Sequence, residues 1–507
     1  MSSTFHTLSR HQNQALGLGQ FAIDFLAKRF GEIDAAVYER VGLFHLDSIA
    51  CGVSAIACGT NAPTVLRDEA FEYRRDDPTR GAPCFGSNVL VAPEKAVAAN
   101  CSAAREWDAN GTNFGYNPAR GDTAGEFGHN DFYPVVVAAA QQRGLDGAQL
   151  LRGMILLDEI RGRLAEVFAL HRYKIDHVVH GAIASAVVYG AMMGASAEQI
   201  ESAVGLVVSH YVPFRAIRAG RQLSDSKGAS AALAAETAVL SVHRAMRGFV
   251  GPRDVLRNPQ ALFCLFEPPA SAEESPFDLH LAEGGDDFAV MGMHFKLGLY
   301  EHQSAGAIEG LIRLLVEHPA VLNDAEQITA LRITIYEPAF SIIGDPAKRD
   351  PRTRQSADHS MIYIIATLLR KAIERKQAGW SELMLLPEDY DEARLHDPIT
   401  RKLMQRIEFR HGGAEYDEKY PDGIPTTLEI EHRELGSLSS GLVMYPEGHA
   451  RSSSGNLPEL LRAKFQRLAA LASADPDELY ERFSNLASRS AEQIAGLYDF
   501  DLGLIDQ

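Results

Sequence analysis

Three polar clusters interrupt long apolar, alanine-rich stretches, and each holds residue types that move protons or bind anions. The first is Glu106-Trp107-Asp108-Ala109-Asn110-Gly111-Thr112, followed after a glycine-bearing stretch by Gly128-His129-Asn130-Asp131. His129 stands just before an apolar, helix-forming run. A helix N-terminus carries partial positive charge and free N–H groups, so it favours an anionic ligand and a neutral imidazole. Asn130 or Asp131 can equally serve there as a helix cap. The second cluster is His171-Arg172-Tyr173-Lys174-Ile175-Asp176-His177. The i, i+6 spacing of His171 and His177 does not put them on one helix face; His177 and His180, at i, i+3, can share one, but no third metal ligand stands near them. A solvated charge cluster is the alternative. The third is Arg215, Arg218 and Arg221, then Ser224-Asp225-Ser226-Lys227, with no acid between Pro213 and Asp225. Guanidinium groups bind carboxylates in bidentate fashion, and a lysine opening a helix can anchor a carboxylate or, if buried, act as a base. Phosphate binding and structural ion pairing are the alternatives. Two smaller signals are Phe295-Lys296 ahead of His302-Gln303-Ser304, and Asp358-His359-Ser360 before MIYIIATLLRKA; both also read as helix caps.

Such side chains act only when rigid elements hold them, and the sequence supplies mostly helices. Residues 14–30 carry Leu18, Phe21, Phe25 and Leu26 at helical spacing, and 34–50 repeat the pattern with Val37, Val41 and Phe44. Residues 93–107 open with Pro93 and Glu94, which suit a first helical turn. Further helices are expected over 133–143, 146–170, 177–193, 197–210 and 227–247. Several are built from Ala and Gly, whose small side chains let helices approach closely. From about residue 285 the character changes: 288–299, 329–336, 405–411 and 426–433 alternate or are β-branched and predict strands. Helices over 302–317 and 358–375 lie among them, and ELLRAKFQRLAALA and DPDELYERFSNLAS return to helix near the end. Loops are expected at 76–92, 113–127, 268–287, 344–357 and 376–400. The chain therefore reads as mainly α with an inserted α+β domain. Residues 1–287 and 441–507 form a large helical domain, and residues 288–440 a smaller α+β domain.

Composition narrows the function. The chain has 507 residues, with 49 basic against 67 acidic, a net charge of −18. That balance argues against a general nucleic-acid binder, which needs a basic footprint. If the ligand is a small anion, its site must be locally basic within an acidic whole. No apolar run reaches the roughly 18 to 20 residues of a membrane span, and the polar N-terminus lacks a secretory apolar core. No membrane partner is therefore expected, and a cytoplasmic protein is the default. The five cysteines, Cys51, Cys58, Cys84, Cys101 and Cys264, include no C-x-x-C. A disulfide framework, a zinc site or an iron–sulfur cluster is not expected. No P-loop, G-x-G-x-x-G after a strand, G-x-S-x-G elbow, H-E-x-x-H or EF-hand loop is present.

Taken in order, the clusters resemble the MmgE/PrpD family, whose activities include 2-methylcitrate dehydration, cis-aconitate decarboxylation and iminodisuccinate epimerisation. The residues that carry the resemblance are LDSIACGVSA (46–55), Trp107-Asp108 with Asn110 and Thr112, Gly128-His129, Leu157-Asp158-Glu159-Ile160-Arg161-Gly162 and Asp176-His177-Val178. They continue with Arg215, Arg218, Lys227, Phe295-Lys296, Ala357-Asp358-His359-Ser360 with Tyr363, and Tyr445-Pro446 with Gly448-His449. The resemblance spans nearly the whole chain. It implies a helical domain made from both chain ends, a smaller lid domain, an active site in the cleft between them, and a homodimer using neither metal nor organic cofactor. It maps Asp108, Thr112, His129, His177, Lys227 and Lys296 onto active-site positions, Arg215 and Arg218 onto basic positions of the dehydratase-like members, and Tyr363 onto a lid tyrosine. Two departures bear on the substrate more than on the fold. The loop from Thr112 to His129 is longer than in the methylcitrate dehydratases, and the segment after Lys296 (LGLYEHQSAG) is altered and shorter.

The expected chemistry is proton abstraction beside a carboxylate, coupled to loss of a β-hydroxyl from a small tricarboxylate or dicarboxylate. His129 and His177 are the expected acid/base pair, with Asp108 orienting one imidazole. Lys227 is grouped with them as a catalytic residue and, with Arg215, Arg218 and Lys296, would hold carboxylates. A decarboxylase, an epimerase and a non-catalytic carboxylate-binding helical protein are the alternatives.

Overall fold

The computed structural model describes residues 4–123, 127–128, 130–218, 222–344 and 348–503. The chain divides into two compact units. The first comprises Met1–Ile217, Gly228–Met293 and Phe465–Gln507; the second comprises Arg218–Lys227 and His294–Lys464.

The first unit is helical. Asp34 caps the Ala35–Ala57 helix by accepting from the Ala36 N–H, and from Phe44 to Ala57 every residue is buried. By length and composition this helix could cross a membrane, but 83% of its apolar window is buried inside the protein. Helices Tyr133–Arg143, Gly147–Val167 and Val178–Met193 surround the same core. Capping boxes start Gly147–Val167 (Asp146 with Gln149) and Ala197–His210 (Ser196 with Gln199), satisfying otherwise orphaned N–H groups. Val178–Met193 is buried on nearly every face, as a helix apolar all round must be. Its glycines are packing devices: a Cβ on Gly181 would lie 2.3 Å from the Phe132 ring.

Short strand pairs in this unit were not expected, and the longest joins distant parts of the chain. Thr4–Leu8 runs antiparallel to Leu279–Gly284, inside the segment read as a 268–287 loop. Five- and six-residue strands whose partners lie over 270 positions away leave little local pattern to read.

The second unit carries a four-stranded mixed sheet, in the order Ile407–His411, Ile328–Ile335, Thr426–His432, Gly436–Val443. The first pair is parallel, with Ile407 opposite Leu331; the others are antiparallel. Leu331, Ile333, Ile335, Leu428 and Ile430 are fully buried on the apolar face. Burial of each such side chain contributes about 1.5–3 kcal/mol. Helix Ala305–Glu317 packs close against the sheet because Gly306 and Gly310 face Thr426, Leu428 and Ser440.

Residues 288–299 do not form the expected strand. Ala289–Gly292 is a 3-10 turn and the remainder is irregular. Phe295, Leu297 and Leu299 are fully buried, and Lys296 between them is buried too, so the alternation marks loop packing rather than two faces of a sheet. Residues 441–464, assigned from sequence to the helical domain, group with the second unit: the last strand runs to Val443 and the Gly448 carbonyl accepts from the Phe295 N–H. Residues 218–227 group there as well, since the Leu223 N–H donates to Ser356 Oγ and the Arg352 N–H to Gln222 Oε1.

Candidate active site

In the first unit, Asp108 follows directly on the Pro93–Glu106 helix. Trp107 ends that helix in an extended conformation and donates from its indole to Ser54 Oγ at 2.8 Å, which fixes the departing chain. Arg105 is the hub of a buried polar network. It lies 3.7 Å from Asp108 Oδ1 and 3.7 Å from Asp131 Oδ2, and donates to Asn110 Oδ1 at 3.4 Å. Asn110 donates to Asp131 in turn. Thr112 is buried and pairs with Gly128 in a two-residue ladder. His129 lies outside the described residues.

Asn130 does not cap the following helix. It adopts a left-handed conformation (φ 51°), which Asn tolerates. Its side chain accepts from the Gly111 N–H and donates to the Phe44 carbonyl and Asp47. Ser48 Oγ donates to its carbonyl. The helix Tyr133–Arg143 starts without any side-chain cap, so Asp131 is not a cap either. The motif residues Asp47, Ser48 and Ser54 are therefore the holders of the two polar loops. Leu157–Gly162 acts likewise: Asp158 accepts from Tyr133 OH at 2.5 Å, Glu159 accepts from the Ala282 and Ala289 N–H groups, and the Arg161 guanidinium lies over the Phe132 ring.

His177 stands at the N-terminus of Val178–Met193, with Nδ1 3.7 Å from Oδ1 of the fully buried Asp176. The Asp176 N–H donates to the Pro213 carbonyl and the Arg215 N–H to the Lys174 carbonyl, which ties the His177 and Arg215 segments together. The neighbourhood is basic. Burial, then Arg215, Arg172 and Lys174, push the His171 imidazole below its ordinary value. Arg215 and Arg218 are half-buried on one 3-10 turn; Arg221 lies outside the described residues. His180 is no partner for His177 in a metal pair: it turns into the core, its Nε2 meets the Phe168 carbonyl at 3.0 Å, and burial pushes it down to about 4.

In the second unit, Lys227 opens the Ser226–Met246 helix, an unfavourable place for a cation beside the positive end of the dipole. Asp358 offsets this: the buried ammonium donates to its Oδ1 at 2.9 Å. His359 Nδ1 lies 3.0 Å from the same ammonium and 2.7 Å from the same carboxylate oxygen. One ring nitrogen cannot accept from Lys227 and donate to Asp358 together, so a proton shared among the three decides which bond is made. Arg354 approaches Asp358 Oδ2 at 3.4 Å. Of Asp358-His359-Ser360, only Ser360 caps, accepting from the Tyr363 N–H. That releases Asp358 and His359 for Lys227, an arrangement the sequence signalled only as two chemical residues ahead of a cap.

Lys296 is buried, its backbone clamped by Lys464 Nζ, which donates to its carbonyl at 2.8 Å. The motif glycine Gly448 is required there: its φ is 85°, and a Cβ would lie 2.5 Å from the Phe295 carbonyl oxygen. His302 and His449 flank His294 with ring centroids 5.3 and 4.1 Å away, a histidine group that spacing alone did not predict. Tyr363 is fully buried, and its hydroxyl donates to the Asp389 carbonyl at 2.7 Å. Burial pushes this phenol up to about 12.

Known proteins place these features in context. Residues 20–274 match the MmgE/PrpD N-terminal domain, and residues 300–485 the MmgE/PrpD C-terminal domain. The chain is 25% identical over 464 residues to the mitochondrial 2-methylcitrate dehydratase of Yarrowia lipolytica, covering 86% of this chain and 81% of that protein. It is 24% identical to the 2-methylcitrate dehydratase of Escherichia coli O157:H7, covering 85% of this chain and 86% of the relative. The alkylcitrate dehydratase phiI of a fungal species is 23% identical, with 86% and 84% covered.

Proposed function

The chain belongs to the MmgE/PrpD family, and from that premise we propose that it is a hydro-lyase that removes water from a hydroxy-tricarboxylate of the 2-methylcitrate type. The observation that carries the reading is the buried Lys227, held at 2.9 Å by Asp358 and 3.0 Å from His359. A buried ammonium with both a carboxylate and an imidazole at hand can hold an anionic substrate group and exchange a proton. The names of the relatives support the reaction class.

Elimination needs a base for the C–H, an acid for the departing hydroxyl and cations for the carboxylates. In this reading one of His129 and His177 takes the proton from carbon, the C–O bond breaks as the alkene forms, and the other gives its proton to the leaving hydroxyl, which departs as water. Asp108 orients one imidazole, and Thr112 offers its hydroxyl to the substrate. Lys227, Arg215, Arg218 and Lys296 hold carboxylates. Asp358 and His359 set the protonation of Lys227. Tyr363 receives no part in this scheme, because its hydroxyl proton is committed to the Asp389 carbonyl.

The test is turnover of 2-methylcitrate by the full chain, followed as alkene formation. Replacing His129 or His177 by Ala should lower kcat by about 10² to 10⁴, the scale of general acid/base loss. A His129→Ala/His177→Ala double variant with unchanged kcat would sink the mechanism. The scheme also needs no metal, so turnover should survive prolonged chelation; activity lost to chelator and restored by a divalent ion would contradict that part.

A further inference from the structure

The long stretch that begins at Thr112 is a built arm. Thr112–Asn113 pairs antiparallel with Phe127–Gly128, and farther out Tyr116–Asn117 pairs with Asp122–Thr123. Beyond the outer ladder the chain turns back. There the Arg120 N–H donates to the Asn117 carbonyl at 3.2 Å, and Gly121 is left-handed with φ 73°. Pro118 and Ala119 at this tip are exposed. A two-stranded ribbon is marginal in water by itself, so two ladders of two residues each do not fix Thr112 through their own hydrogen bonds. Phe114, 1% exposed, secures the stretch between the ladders. The outer half needs a separate hold.

The structure supplies two. Asn117 Nδ2 donates to Glu166 Oε2 at 3.2 Å, near the end of Gly147–Val167. The Arg120 guanidinium lies over the Phe5 ring, 4.1 Å from its centroid. Both receiving groups are themselves fixed. Glu166 is buried and accepts at Oε1 from Arg163 Nη1 at 2.9 Å. Arg163 also faces the Phe5 ring at 5.6 Å and donates from Nε to Glu159 Oε1 at 2.9 Å. That oxygen accepts in addition from the Ala282 N–H at 2.7 Å, and Ala282 is the strand partner of Phe5. The contacts thus close a circuit. It runs from the arm through Glu166, Arg163, Glu159 and Ala282 to Phe5, and back to the arm at Arg120. A cavity of about 390 Å³ lined in part by Arg120, Gly121 and Glu166 opens beside it, so the tip is not cushioned by close packing on that side.

We infer that this circuit is a positioning device for the active site. Asn117, Arg120, Phe5 and Glu166 fix the outer arm, and the inner ladder in consequence holds Thr112 in place. None of the four touches substrate; they act through Thr112. The inference rests on the hydro-lyase reading only for the hydroxyl that Thr112 offers to substrate.

The test uses the full chain and the variant Asn117→Ala/Arg120→Met, with Phe5→Leu as a second route to the same loss. Hydrogen exchange at residues 112–113 should quicken about tenfold or more in both, with melting unchanged. Arg120→Lys keeps a cation over Phe5 and should exchange as the native chain does. With 2-methylcitrate, KM should rise about tenfold in both while kcat stays within about twofold. Thr112→Val should also raise KM, and adding the arm variant should raise it no further, because both act through one hydroxyl. Exchange quickened only at residues 116–117, unchanged exchange throughout the arm, or KM effects that multiply in the combined variant would each overturn the inference. A native chain silent toward 2-methylcitrate, with the expected exchange pattern in the variants, would remove the hydro-lyase reading and leave the circuit standing.

Discussion

Lys227 and Asp358 set the terms at the scale of single residues. Each is buried, and removing either takes from the other its opposite charge at 2.9 Å. Breaking such a pair by removing one partner costs about 3–5 kcal/mol, whereas replacing both by apolar groups is often close to neutral. Asp358→Asn should therefore lower the urea midpoint markedly. Lys227→Met/Asp358→Leu should lose less stability than the two single variants summed, while 2-methylcitrate turnover is lost in all three. Strict additivity in the urea titrations would contradict the pairing. The residue types at this cluster were visible in the sequence, but their partnership was not. Lys227 and Asp358 are separated by 131 positions, and a cap was a sufficient local explanation of Asp358-His359-Ser360. The opposite holds for Tyr363. The resemblance suggested a substrate-facing tyrosine there, yet only the fold reveals that its hydroxyl serves the Asp389 carbonyl.

Elements hold these residues through a few close approaches. Gly448 is the clearest, since both its left-handed backbone and the nearby Phe295 carbonyl exclude a side chain. Gly448→Ala should shift the loop that carries Lys296, destabilise the chain by about 1–3 kcal/mol and raise KM for a carboxylate substrate more than it lowers kcat. A variant with native melting and native kinetics would contradict that placement. Ser360→Ala removes the cap of Met361–Arg375 and should cost about 1 kcal/mol in the same titration. Some helices of the first unit were legible because apolar periodicity meets a readable start, such as the Asp146 and Ser196 capping boxes, whereas Val178–Met193 was legible from its unbroken run of small apolar residues. The 288–299 segment misled because Phe295, Leu297 and Leu299 alternate as a strand does, though the intervening Lys296 is buried as deeply as a core residue.

For the whole molecule, the net charge of −18 and the buried ionisable groups fix how the protein responds to solution conditions. His45 is fully buried between the Tyr133 and Phe483 rings, and neither ring nitrogen has a hydrogen-bond partner among the described residues. Burial pushes it down to about 3, and His180 to about 4. Both bind fewer protons folded than unfolded, so stability is complete above the unfolded value near 6.5 and is lost as pH falls toward the folded values. The urea midpoint should thus drop between about pH 6.5 and 4. His45→Phe should raise the midpoint at neutral pH and flatten this dependence; an unchanged slope would contradict the neutral buried imidazole. The acid excess bears on large anionic surfaces and says little of a small anion, since cations such as Arg215, Arg218, Lys227 and Lys296 act over a Debye length of about 8 Å. The central claim is the reaction itself, and one measurement tests it most directly: the full chain with 2-methylcitrate in D₂O, followed by NMR. The account predicts an alkene formed with release of water and no loss of CO₂. Deuterium exchange without elimination, CO₂ release, or an unchanged spectrum would contradict it.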